Sequence, residues 1–335
     1  MSTAAIITLQ GMNNYGNRLQ NYAMQEMLEQ SGCRAVTIKI GDRNIARSIV
    51  QGLRYVSWAL NGRKRKRLLR KKRFTAFERE IRSEHCSLKE IREGMLNRYD
   101  YIIYGSDQIW NTEFDTFSKL FLGYYANRDK NIAVSASFGT DDIDPEYREL
   151  FCEGLQRFKA VSVREDAGKE IVEKYTDRAC SVVPDPTLML DKDQWIGAER
   201  PVPVPEEYAF TYFLGERPDI TTSMPLIHGE RGSEYGPGEF LYLIRNARAV
   251  YTDSFHACVF CIIHSVPFCV YKRKSRYTAM TSRIRTLIEA FGLPYDAERE
   301  YCHYSKEELS EEVLRNRMDA LRKSMEVFLT ENLSG

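Results

Sequence analysis

The segment Thr252-Asp253-Ser254-Phe255-His256 sets hydroxyls, a carboxylate and an imidazole where an apolar run ends and a helical period begins. A phosphate there would meet the Ser254 hydroxyl, the free N–H groups of a helix start and His256 together. The plainer reading is that a histidine in apolar surroundings is packed, not reactive. Arg164, in Ser162-Val163-Arg164-Glu165-Asp166, and Arg283, beside Ser282 at a helix start, each offer a guanidinium fork to a carboxylate or phosphate. For Arg164 the competing reading is an ion pair with Glu165 or Asp166. Asp107-Gln108-Ile109-Trp110-Asn111 follows a Gly105-Ser106 turn, and its amides, carboxylate and indole suit sugar hydroxyls and a stacked sugar ring. A capped turn with a core tryptophan has the same spacing. Asn13, Asn14, Tyr15 and Asn17 surround Gly16 after the first apolar run. The G-x-G-x-x-G spacing of a dinucleotide loop is missing there, and a turn with a helix cap is the structural alternative.

Two further signals point away from chemistry. Cys258-x-x-Cys261 with His264 has metal-like spacing but lies in one apolar helix without a second ligand pair, so no metal is expected. The eight cysteines are scattered, several within apolar runs, as reduced buried thiols of a cytosolic protein would be. The basic run at 63–73 follows Leu53, Tyr55, Val56, Trp58 and Leu60. Such a run is usually a solvated helix face; attraction to anionic headgroups or a lipid diphosphate is the functional alternative. Lys plus Arg number 48 against 47 Asp plus Glu, so no global charge argues for nucleic acid. The N-terminus has no basic, apolar signal pattern, and the most apolar stretch, 257–271, is broken by His264 and Pro267. The expectation is a soluble cytoplasmic protein, with peripheral contact at the inner face of the plasma membrane through 63–73.

The elements that must position these residues follow a strand–helix rhythm. Apolar runs at 4–9, 35–40, 99–105, 131–138 and 160–164 read as strands; 17–30, 144–158 and 166–175 read as helices. Asp144 would cap the second of these helices, with Pro145 in its first turn. Pro184, Pro186 and the stretch 201–205 interrupt the rhythm and place a boundary between domains 1–200 and 201–335. Strands at 208–214, 249–253 and 267–271 follow, with helices at 239–246, from Phe255, at 282–291 and at 309–328. Between Leu214 and Glu239 there is room only for a short strand near 225–228, so the second domain is expected to be the smaller. Alternation of this kind predicts an α/β fold of parallel sheets flanked by helices.

These segments, in this order, resemble the polysaccharide pyruvyl transferase family. The matching residues are NYGNRLQNYA at 14–23, YGSDQIWN at 104–111, SVRED at 162–166, VPDPTLML at 183–190, TDSFH at 252–256, Pro267-Phe268 and SRIRTLIEAFGL at 282–293. The resemblance spans about residues 3–295. Many relatives carry an arginine where this chain has Ser254, and a longer segment at 215–238. The resemblance implies two Rossmann-like domains facing across a cleft, a glycosyltransferase-B-like arrangement with the acceptor on the first domain and the donor on the second. The implied donor is phosphoenolpyruvate, used without a cofactor. The implied product is a pyruvate ketal on a sugar of a bacterial-type surface polysaccharide or its lipid-linked precursor, with phosphate released. His256 would protonate the donor's methylene carbon or assist phosphate departure, and Asp107 would be the base for the sugar hydroxyl. Arg164, Arg283, Ser254 and Asp253 would hold the donor. Gln108, Trp110 and Asn111, with Asn13, Asn14, Tyr15 and Asn17, would line the acceptor half. A sugar-nucleotide-dependent glycosyltransferase and a non-catalytic binding protein remain the alternatives.

Overall fold

The computed structural model describes residues 1–10, 14–41, 62–115, 117–273 and 281–333. Its first sheet contains β1 (Ser2–Ile7), β2 (Cys33–Ile40), β3 (Ser83–Cys86), β4 (Tyr101–Tyr104), β5 (Asn131–Ala136), β6 (Ala160–Val163) and β7 (Ser181–Val182). Their order is β3-β2-β1-β4-β5-β6-β7, and every neighbouring pair is parallel. The second sheet contains β8 (Ala209–Tyr212), β9 (Leu226–His228), β10 (Ala249–Thr252), β11 (Phe268–Tyr271) and β12 (Tyr301–Tyr304), in the order β12-β11-β10-β8-β9. Only the β11–β12 pair is antiparallel. In chain order the helices are α1 (Tyr15–Gln30), α2 (Gly62–Glu78), α3 (Leu88–Arg92), α4 (Arg148–Leu155), α5 (Asp166–Tyr175), α6 (Lys192–Ala198), α7 (Pro237–Arg245), α8 (Phe255–His264), α9 (Thr281–Ala290) and α10 (Glu311–Leu333). The chain thus has the α/β architecture of two Rossmann-like domains. Strand order reverses between β1 and β4 and again between β8 and β10, the places where open parallel sheets gather ligands.

The run at 144–158 forms a 3-10 turn, Pro145–Tyr147, before α4; Asp144 caps that turn by accepting from the Glu146 N–H. The strands β3, β7 and β12 carry the polar or very short sequences SEHC, SV and YCHY, which have no apolar periodicity to announce them.

α1 explains how the two sheets are held together. It is buried nearly all round although it carries Asn17, Arg18, Gln20, Asn21 and Gln25. Met24, Met27 and Leu28 pack on the first sheet, while Tyr15, Leu19 and Ala23 enter the core of the second domain. Arg18, Gln20, Asn21 and Gln25 are each held by at least one partner, although Arg18 Nε and Asn21 Nδ2 make no hydrogen bond among the described residues. Gln25 donates to the Thr37 hydroxyl, Thr37 to Asn21, and Arg18 pairs with Glu78 at 3.0 Å. Buried polar groups left unpaired would each cost about 1–3 kcal/mol, so this network is a condition of placing such a helix between two cores.

The basic run proves to be partly interior. Leu68, Phe74 and Phe77 of α2 are buried, and Phe74 and Phe77 join the second-domain core. Arg70 is 4% exposed, stacks over the Tyr15 and Phe74 rings, and donates to the Ser233 hydroxyl at 2.9 Å and the Tyr235 carbonyl at 3.2 Å. Arg73 pairs with Glu239 at 3.2 Å. Part of the charge expected to face lipid therefore ties α2 to the second domain; Arg65, Lys66, Arg67 and Lys72 are exposed. The apolar residues at 53–60 lie outside the described residues.

The terminal helix corrects the expected division at residue 201. Met325, Phe328 and Leu329 of α10 pack beside β1 and β4 of the first sheet. Tyr101 donates to the Leu333 carbonyl at 2.7 Å, and Arg322 to the carbonyls of Leu188 and Leu190. The end of the chain belongs to the first domain, because that domain's sheet supplies the apolar surface the helix covers. No helix among the described residues is long and apolar enough to cross a membrane.

Candidate active site

The carboxyl ends of the two sheets meet where α1 and α8 begin. Asn14 caps α1 by accepting from the Gly16 N–H at 2.9 Å, and Ser254 caps α8 by accepting from the Ala257 N–H at 3.5 Å. His256 lies against the first turn of α1. A methyl group added at Gly16 would fall 2.1 Å from the His256 Nδ1 atom, so only glycine leaves room for the imidazole.

Below His256 lies a buried charge cluster. Arg164 directly follows β6, and its guanidinium reaches Asp185 at 2.6 Å, Asp107 at 3.4 Å and Glu165 at 3.8 Å, with no side-chain exposure. The Asp185 Oδ2 atom is 3.8 Å from His256 Nε2 and accepts from the Ser106 hydroxyl at 3.3 Å. Its Oδ1 accepts from the backbone and hydroxyl of Thr187. Burial works to raise the Asp185 carboxyl, but His256, Arg164 and the Thr187 bonds hold it below the usual carboxylate range. Ser106 continues the network to Gln20 of α1, whose amide oxygen accepts from the Ser106 N–H and hydroxyl. Glu165 accepts from Ser137 and from the Phe138 N–H, fixing the end of β5.

Arg283, 4% exposed, is the other buried cation. It opens α9 and lies 6.0 Å from the Phe255 ring centre, with Arg164 at 4.7 Å from the same ring. Among the described residues no carboxylate lies within ion-pair distance of it. The Gln108 carboxamide oxygen, in the orientation that serves both neighbours, accepts from Nη1 at 3.0 Å and Nη2 at 3.1 Å. Gly139 lies close behind that amide: a methyl group there would fall 2.1 Å from the carboxamide atom turned away from Arg283. Burial, and then the neighbouring Arg164, push the Arg283 guanidinium down to about 9. Burial likewise lowers His256 to about 4, outweighing the attraction of Asp185, so the imidazole is neutral near pH 7.

Among the described residues five polar atoms of this cluster are buried without a hydrogen-bond partner: His256 Nε2, Arg283 Nε, Asp107 Oδ2, and Arg164 Nε and Glu165 Oε2, which face each other at 3.8 Å. Asp107 has φ of 38°, a left-handed backbone that non-glycine residues rarely hold outside functional turns. Orphaned donors and an orphaned acceptor in one place are what a polar, anionic ligand would satisfy.

His256, Arg164, Arg283, Asp107 and Gln108 therefore come together, whereas several expected contacts do not face this cluster. Arg164 is not an open donor clamp; three carboxylates surround it, and it fixes Asp107 and Asp185. Trp110 offers no stacking face, because Phe138, Phe151 and Phe158 pack around it and its indole N–H donates to the Phe121 carbonyl. Tyr15 is not an acceptor wall but an interdomain post, donating to the Gly229 carbonyl at 2.9 Å and stacking on Phe240. The Asp253 carboxylate accepts from the N–H groups of Leu214 and Gly215 and pairs with Arg273 at 3.0 Å, so it orders the loop after β8 and has no need of a donor. The Ser254 hydroxyl serves as a helix cap. Asn111 is buried and accepts from the Glu113 N–H. Asn14 and Asn17 lie at the start of α1, Asn14 half-buried; Asn13 is outside the described residues. Asp185 was missed as a site residue. The prolines on either side of it drew the boundary reading, while the signal was the aspartate that caps the turn Pro186–Leu188.

Two parallel-sheet domains with a buried, anion-seeking cluster between their strand ends define a transferase-like α/β protein. The sequence profile of the polysaccharide pyruvyl transferases matches residues 14–275, and the chain belongs to that family. No curated protein matches it. Solved structures similar to it include a functionally uncharacterised protein of Klebsiella pneumoniae, 12% identical over 85% of this chain and 87% of that one, with a TM-score of 0.47. UDP-GlcNAc 2-epimerase from Neisseria meningitidis is 10% identical over 99% of both chains, with a TM-score of 0.47. MurG from Acinetobacter baumannii is 8% identical over 96% and 94%, with a TM-score of 0.39.

Proposed function

We propose that the chain transfers the pyruvyl unit of phosphoenolpyruvate to two hydroxyls of a sugar, forming a ketal and releasing phosphate. Family membership supplies the reaction class. The observation that carries the donor's identity is Arg283, a buried guanidinium with no carboxylate partner among the described residues, beside a neutral imidazole. A small anion with carboxylate and phosphate groups satisfies that cation by charge-assisted bonds.

Donor binding changes the protonation of the site. A phosphate next to His256 favours the imidazolium, so the histidine takes up a proton that the empty site refuses. It then gives that proton to the donor's methylene carbon while the neighbouring carbon gains oxocarbenium character. Asp107, with its orphaned Oδ2, accepts the proton of the attacking sugar hydroxyl. The new C–O bond yields a phosphate-bearing intermediate, and a second hydroxyl of the same sugar, giving its proton to the now neutral His256, displaces phosphate to close the ketal, while Asp107 passes its proton to the departing phosphate. Arg283 stabilises the charge that leaves. No step calls for a cofactor. The acceptor belongs to a bacterial-type surface polysaccharide or its lipid-linked precursor, used at the cytoplasmic face of the membrane.

The test is incubation of purified protein with phosphoenolpyruvate and a panel of free and lipid-linked sugars, following phosphate release and the mass of the product. His256→Ala should lower transfer by about a hundredfold or more, with an unchanged folded spectrum. Consumption of a nucleotide sugar in place of phosphoenolpyruvate, or full turnover by that variant, would sink this reading.

A further inference from the structure

The connection from β8 to β9 contains no helix. β9 lies on the opposite side of β8 from β10, so in a right-handed sheet this is the crossover that would cover the second face. The other face is covered: Phe210, Tyr212, Val250, Phe268, Val270 and Tyr304 share a core with α7, α8 and α9. Strand alternation turns the intervening residues to the helix-free side. These include Tyr251 of β10, Tyr271 of β11 and Tyr301 of β12, and the register sets Tyr271 directly opposite Tyr301. Their rings stack with centres 5.0 Å apart and planes 29° apart, and Phe213 meets Tyr271 edge-on at 5.6 Å. Tyr301 is 48% exposed. Beside the rings, the segment 216–219 walls a cavity of about 490 Å3 that Tyr271, Glu300 and Tyr301 complete.

We propose that this cavity binds a stretch of neutral saccharide as an outer subsite for the acceptor, an inference that rests on the acceptor being a sugar chain. The volume falls within the range of small-ligand sites. Tyr301 stacks on Tyr271 and keeps nearly half its surface exposed, an apolar ring with a polar tip that matches the C–H face and the hydroxyl rim of a pyranose. Glu216 and Asp219 put carboxylates beside that ring, while Arg217 turns to His228 at 2.8 Å and Glu230 at 3.9 Å. Carboxylates accept bonds from the hydroxyls a neutral saccharide offers. The place is also right. Tyr271 ends β11 and Phe213 follows β8, at the sheet end where Asp253 holds the Leu214 and Gly215 N–H groups just before α8. A chain with its terminal sugar near His256 can continue over this edge onto the tyrosines.

The experiment titrates the full chain, without and with phosphoenolpyruvate, with soluble oligosaccharides of glucose, galactose, mannose and N-acetylglucosamine. Wild type should bind at least one of them. Tyr301→Ala should weaken that binding by about tenfold, and Tyr301→Phe, which keeps the ring, should preserve it. The acceptor KM should rise with Tyr301→Ala while the KM for phosphoenolpyruvate stays constant. Failure to bind any of these saccharides, or binding and acceptor KM both indifferent to Tyr301→Ala, would overturn the subsite. The two readings fail separately. Tyr301-dependent saccharide binding without phosphate release removes the proposed reaction and keeps the subsite; phosphate release with saccharide binding and acceptor KM both indifferent to Tyr301→Ala does the reverse.

Discussion

Arg283 costs the empty protein stability and gives it an affinity. A buried cation without an anionic partner is unfavourable, as the lowering of its guanidinium to about 9 records. Arg283→Met should therefore raise the unfolding free energy of the ligand-free protein by about 1 kcal/mol or more. The same change should remove the stabilisation that phosphoenolpyruvate confers on the wild type. Thermal unfolding with and without the donor reads both effects in one experiment. A variant that lost stability and kept the donor-induced shift would show Arg283 to be a structural residue. Arg164 follows the opposite logic: three carboxylates keep its charge, and it acts by holding Asp107 and Asp185 in place.

At the scale of elements, the approach of α1 to α8 decides whether the imidazole can occupy its position. Gly16→Ala should leave α1 intact, since alanine favours helices, but should displace His256 and lower transfer by about a hundredfold. Circular dichroism and steady-state rates measured together test it; wild-type turnover would mean that the histidine works from another place. Much of this level was legible in the sequence. α5 spans the expected 166–175, the strand expected at 4–9 starts two residues earlier, and those expected at 131–138, 160–164 and 249–253 are shorter by one or two residues, because apolar runs bounded by turn residues are local signals. The site was legible in part. TDSFH was read correctly as a strand-to-helix corner, yet whether Arg164 or Arg283 would be the unpartnered cation depends on Asp185 and Gln108, which meet them only in the fold. Trp110 and Tyr15 were misread for the same reason: an aromatic residue in a polar motif looks exposed until three phenylalanines or a second domain close over it.

Burial makes three histidines among the described residues resist protonation, His228, His256 and His264, the last two most strongly. Burial lowers His256 to about 4 and His264 to about 3, and neither ring nitrogen of His264 has a hydrogen-bond partner. In an unfolded chain both would titrate near the ordinary value of about 6.5. Between that pH and their folded values the unfolded state binds more protons, so stability falls as pH drops through this window, by at most about 1.4 kcal/mol per pH unit for each group. Replacing His264 by leucine should flatten the dependence of the melting temperature on pH between about 6.5 and 4 without touching transfer. An unchanged slope would mean that His264 is solvated in solution.

Among the described residues the polypeptide passes outward after β7 and returns along α10, whose Leu314 and Met318 pack in the second core and whose Met325, Phe328 and Leu329 pack on the first sheet, and these passages run side by side. Lys192 of α6 reaches Glu311 of α10 at 3.4 Å, and Arg322 holds the carbonyls of Leu188 and Leu190. α1 and α2 reach into the second core as well, so the domains are fastened along several lines, and the turn ending at Leu188, capped by Asp185, is one of them.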